Sequence, residues 1–276
     1  MLKKLLKHDM KAALRMWWIA VLGAVVLTGI CVVTVFADQR NTEDLPEIAS
    51  ALLSVMSSLG MVSYVAGMLI FAAVCHVIPA VVMYKSFFTD EGYLTFTLPV
   101  KRSQLFLSKF LTASALALGG VCIRIICALA LSSAIVAMDG GKSDYYAADL
   151  QWLLEFSRVS LILDGKWYEI ALSAVRLVVS QLSLILCWMF SMCAGCAVEK
   201  KHRILASLAT LLGMRMLSSW ITSVGANESV LVNVLMPGAV SVSLLAESAV
   251  IVSHLALAVV LYVLSEYVLE KKLNLV

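Results

Sequence analysis

Residues 52–83 read LLSVMSSLGMVSYVAGMLIFAAVCHVIPAVVM, and this run decides the fold class. It has no Asp, Glu, Lys or Arg, and it exceeds the roughly 20 apolar residues that a helix needs to cross a bilayer. At about 1.5 Å per residue it outruns a hydrocarbon core of about 30 Å. It is therefore expected to tilt, to kink near Pro79, or to project into the cytoplasm. Working outward, comparable runs occur at 17–36, 110–138, 170–198, 204–221 and 249–269. Of the 276 residues, 62% are hydrophobic and 14% charged, more apolar surface than a water-soluble domain of this size can hide. The runs are too long for the alternating strands of a membrane barrel. The expected fold is an all-α membrane protein, one transmembrane domain over 1–276 with six transmembrane helices.

Charge sorts by side. Lys3, Lys4, Lys7, Lys11 and Arg15 precede the first run. Lys85, Lys101, Arg102 and Lys109 lie between the second and third, Lys200, Lys201 and Arg203 between the fourth and fifth, and Lys271 and Lys272 after the sixth. Asp38, Glu43, Asp44 and Glu47 face only Arg40 between the first two, and 139–169 is acidic on balance. The positive-inside rule then places both termini in the cytoplasm, which six crossings require.

In residues 1–16, Leu2, Leu5, Leu6 and Ala13 share a stripe with Trp17, and the lysines fall mostly off it. This suits an interfacial helix before the first span, against a basic flank that only sets orientation, with Trp17 and Trp18 in an aromatic belt. Val35-Phe36-Ala37 faintly resembles a signal cleavage site, but the preceding apolar run is too long for one, so an uncleaved span is expected. The seven cysteines fall inside the spans and form no disulfide framework. Cys193-Ala-Gly-Cys196 has redox spacing but reads as small packing residues. The aromatic-rich 139–169 loop suits an external cap or an interfacial helix around 150–163. Residues 199–203 are so short a link that spans four and five form a hairpin. Residues 229–236, ended by Pro237-Gly238, read as a separate re-entrant or interfacial helix.

One polar island stands out. Residues 85–109 read KSFFTDEGYLTFTLPVKRSQLFLSK, far more than a chain reversal needs. Asp90 and Glu91 precede Gly92, Tyr93, Leu94, Phe96 and Leu98, and Pro99 leads to a basic cluster. A short helix there offers aromatic and aliphatic anchors for a protein groove, with carboxylates near its N-terminus. Lys101, Arg102 and Lys109 are expected to pair with a partner's acids or with lipid phosphates. No phosphate-loop motif, zinc-protease motif or metal-ligand spacing occurs, and His8, His76, His202 and His254 are scattered. No serine or histidine is marked as a nucleophile with its base, so no catalytic residue and no metal site is assigned. Arg124, Arg176 and Arg215 fall within apolar runs. Arg124 is the deepest and the candidate cavity or interface residue, against a structural tie to a neighbouring helix; Glu247 is placed to partner an outer arginine.

These features resemble the permease (transmembrane) subunit of an ATP-binding-cassette transporter, of the type-two exporter-like class. Asp90-Glu91-Gly92-Tyr93-Leu94-Thr95-Phe96-Thr97-Leu98-Pro99-Val100, then Gln104 and Ser108-Lys109, carry the resemblance. The corresponding family loop has an acid-Gly start, a Leu-Pro-Val-like turn and a closing Lys, and EGYLTFTLPV is similar to its bacterial branch. The resemblance implies a coupling helix at 92–98 that contacts a separate ATPase subunit through Asp90, Glu91, Gly92, Tyr93, Leu94, Phe96, Leu98 and Pro99. It further implies a second permease (a homodimer or a paralogue), a bacterial plasma membrane and export of a peptide, lipid or amphiphile. ATP and magnesium would bind the partner; the chain itself would be no enzyme, carry no cofactor and contact lipid but no nucleic acid. A regulatory or immunity membrane protein binding its partner through 85–109 has the same topology. An intramembrane enzyme would instead show activity without any ATPase.

Overall fold

The computed structural model describes residues 2–40, 47–88, 102–139, 167–198, 202–235 and 241–271. Its elements are α1 (Leu2–Arg40), α2 (Glu47–Phe88), α3 (Arg102–Asp139), α4 (Trp167–Val198), α5 (Arg203–Leu235) and α6 (Ser241–Lys271), with no strand among the described residues. Five helices are long and apolar enough to cross a membrane, through Leu5–Ala37, Ile48–Phe88, Arg102–Ala134, Ala174–Ala197 and Ser248–Leu269. The run expected as the fifth span is a shorter apolar stretch, Ile204–Trp220, within α5. This is the architecture of a multi-pass membrane protein.

Which residues face outward supports that reading. Ile19 is 72% exposed, Val62 67%, Leu212 65% and Trp220 67%, an apolar exterior that water would penalise and lipid accepts. Small and hydroxylated residues turn inward instead, among them Ala24, Thr28, Ser57, Ser183, Ser191 and Ser265. Their hydroxyls return to carbonyls of their own helix, as Thr28 Oγ1 does to Ala24 O (2.8 Å) and Ser265 Oγ to Leu261 O (2.7 Å). Such residues let backbones approach closely where lipid removes the hydrophobic drive between helices.

Three boundaries differ from the sequence reading. The interfacial helix and the first span are one unbroken helix, because the inward stripe of Ala13, Trp17, Val21, Ala24, Thr28, Cys31 and Val35 holds helical spacing throughout. Trp17 is accordingly buried, whereas Trp18 is exposed. The helix continues in α2 through Pro79 to Phe88. Residues 222–235 extend α5 and form no separate helix, since no proline interrupts them before Pro237.

The chain divides into two compact units, the first comprising Met1–Leu14, His76–Leu118 and Trp167–Val276, the second Arg15–Cys75 and Gly119–Lys166. On α2 the division falls between Cys75 and His76, one turn before Pro79, which lacks the N–H that would bond the Cys75 carbonyl. In the second unit, glycines mark helix contacts: Gly60 abuts Thr34, Gly67 abuts Leu27, Gly119 lies under Trp17 and Gly120 under Cys75. In the first unit α4 packs on α5 and α6, and α5 on α6. Gly195 of α4 meets the backbone of Ser207, and Thr210 Oγ1 donates to Ser191 O across the same pair (3.0 Å).

Candidate functional site

The residues expected to contact a partner ATPase, Asp90 to Pro99, lie outside the described residues, as does Lys101. What is described is the mount on either side of them, all within the first unit.

The end of α2 and the start of α3 bury into one core. Phe87 and Phe88 on α2 and Leu105 and Phe106 on α3 are nearly inaccessible, and they share that core with Met83, Ile185, Met189, Leu261 and Leu269. Aromatic contacts fix the orientation. Tyr84 and Phe88 ring centroids are 6.0 Å apart, and Phe87 meets Phe88 edge-on at 6.3 Å. Tyr262 of α6 is met edge-on by Phe106 at 5.4 Å and by Phe110 at 6.2 Å. Side chains so packed transmit a displacement instead of absorbing it.

Polar ties reinforce the mount. Lys109 Nζ donates to Asp9 Oδ1 (2.5 Å), and Ser108 Oγ donates to Asp9 Oδ2 (3.1 Å), so two neighbours on α3 grip one carboxylate of α1. Arg102 Nη1 donates to Leu269 O (3.0 Å) in the last turns of α6, where helix carbonyls lack intrahelical donors. These bonds correct part of the sequence reading. Lys109 is buried and spends its charge inside the chain, because the N-terminal helix brings a carboxylate to it. Arg102 also bonds within the chain. Asp9 was not singled out from the sequence. Its signal is its place on the stripe of Ala13 and Trp17, one turn before Ala13, as the sole acid among basic residues.

Arg124 lies on α3 in the second unit. Its Nε is buried without a hydrogen-bond acceptor among the described residues, and so is Trp17 Nε1. No structural tie of Nε to a neighbouring helix appears among those residues. Arg215 is exposed, and the side chain of Glu247 lies outside the described residues. His76 Nε2–H donates to Gln181 Oε1 (3.0 Å), and His254 Nδ1–H to Val250 O (2.9 Å), so both histidines make structural bonds. None of the seven cysteines is in a disulfide; Cys122 is exposed and the others are buried, including Cys193 and Cys196.

No family model matches the chain, and no curated protein sequence or solved structure matches it either.

Proposed function

We propose that this chain is the permease subunit of an ATP-binding-cassette transporter, exporting a peptide, lipid or amphiphilic compound with ATP hydrolysed by a separate subunit. The observation that carries the proposal is the joining of the anchored ends of α2 and α3 by the segment Asp90-Glu91-Gly92-Tyr93-Leu94-Thr95-Phe96-Thr97-Leu98-Pro99. A groove on an ATPase would take Tyr93, Leu94, Phe96 and Leu98. Its movement would pass through Phe87 and Phe88 into α2, and through Leu105, Phe106 and the Asp9–Lys109 pair into α3 and α1. Rigid helices would carry the work, with no chemistry on this chain.

In this reading α5 supplies a sixth crossing, both termini are cytoplasmic, and a second permease completes the substrate path. ATP and its magnesium belong to the partner subunit. The membrane is a bacterial plasma membrane. Arg124 faces either the path or the second permease, which provides the acceptor for its guanidinium.

Reconstitution tests the function. The purified complex in sealed vesicles should move an amphiphilic reporter across the bilayer on addition of ATP and magnesium. ATP turnover without movement of any cargo in a broad panel would instead indicate a regulatory membrane protein that shares the loop.

A further inference from the structure

Beside the α4–α5 hairpin the first unit contains a cavity of about 290 Å³, lined by Val81, Tyr84 and Lys85 of α2, Trp188 and Met192 of α4, and Leu208 of α5. Its walls are almost wholly apolar. Ser191 also lines it, but its hydroxyl donates to Trp188 O (2.8 Å). A wall this apolar does not retain water, which needs several polar partners. The volume lies just below the ~300–1,000 Å³ typical of small-molecule sites.

Two features name the occupant. Val81 and Leu208 are exposed on the apolar exterior, so the cavity opens where lipid contacts the bundle. Lys85, exposed in the last turn of α2, adds a positive charge to the lining. An apolar cavity open to lipid with a cation in its lining complements a hydrocarbon chain carrying an anionic head. We propose that this cavity holds one acyl chain of an anionic phospholipid of the surrounding bilayer, its phosphate beside Lys85. The site is independent of the transporter reading. It also meets the segment's mount, because Tyr84 both lines the cavity and packs on Phe88.

Trp188 supplies the reporter. The protein is reconstituted in vesicles containing phosphatidylglycerol or phosphatidylcholine brominated along the acyl chain, and quenching lost in Trp188→Phe is assigned to the cavity. That component should reach half-saturation at about a fivefold lower fraction of phosphatidylglycerol, the preference one lysine confers near an anionic headgroup. Lys85→Gln should abolish the preference, and Leu208→Phe should reduce the component for both lipids. Equal half-saturation in the wild-type protein overturns the proposal, as that is ordinary contact with the lipid annulus. Quenching by brominated fatty acid, with none by the phospholipid, also overturns it. Native mass spectrometry gives a second readout that does not depend on Trp188→Phe folding. Retained phosphatidylglycerol should be present on the wild-type protein and depleted on Lys85→Gln, and a wild-type protein that retains none contradicts the proposal.

Discussion

Lys109 of α3 and Asp9 of α1 form a buried ion pair 2.5 Å apart, with side chains only 8% and 5% exposed. Ser108 completes the carboxylate's coordination from the next position along α3. The pair joins the N-terminal helix to the first turns of α3, beside the apolar core on which Leu5 of α1 also packs.

Removing one partner should therefore cost more than removing both. Asp9→Ala or Lys109→Ala leaves an unpaired buried charge and should destabilise the first unit by about 3–5 kcal/mol. Asp9→Leu combined with Lys109→Met should recover most of that loss, because apolar replacements of a buried pair are often near neutral. Denaturant or thermal unfolding of the purified variants in one detergent measures the difference. Equal losses in the single and double variants would show that the pair is not a coupled unit.

The α4–α5 hairpin gives a test with its control in the same helix pair. A Cβ on Gly195 would collide with the backbone of Ser207, whereas one on Gly213 meets nothing within 4 Å. Gly195→Val should lower stability by roughly 1–3 kcal/mol through overpacking. Gly213→Ala should be neutral or stabilising, by up to about 1 kcal/mol. Protease accessibility of the 199–203 link and thermal midpoints report both effects.

Arg124 separates stability from function. Its buried Nε has no acceptor among the described residues, and an unsatisfied buried donor costs about 1–3 kcal/mol. Arg124→Met should leave the unfolding midpoint unchanged or raise it, while ATP-driven transport by the reconstituted complex falls. A marked loss of stability in Arg124→Met would show instead that the arginine is a structural tie.

The sequence foretold what depends on local composition and hid what depends on distant pairing. Uncharged runs such as 52–83 mark α2 because lipid demands a continuous apolar helix. The end of α5 misread because 229–236, cut off by Pro237-Gly238, resembles an independent element, although no proline separates it from the preceding span and the helix runs on through Gly225. The N-terminal stripe was visible as far as Trp17, but its continuation to Val35 shows only when burial along α1 is known. Asp9 and Lys109 lie 100 positions apart, so their pairing follows from the packing of α1 on α3 and not from spacing. The cavity beside Trp188 was illegible for the same reason, since three helices build it.

The most direct test of the transporter reading is gentle purification of the tagged chain from its native membrane, with mass spectrometry of what accompanies it, beside a Tyr93→Glu/Leu94→Glu variant. A stoichiometric ATPase bearing a phosphate loop should accompany the wild-type chain and be lost, by tenfold or more, from the variant, as expected when a hot-spot anchor contributing at least about 1.4 kcal/mol is removed. Membrane insertion of the variant should be unchanged. An ATPase retained equally by both chains would contradict the placement of the coupling residues. A wild-type chain that purifies alone, under conditions preserving other such complexes, would contradict the transporter assignment itself.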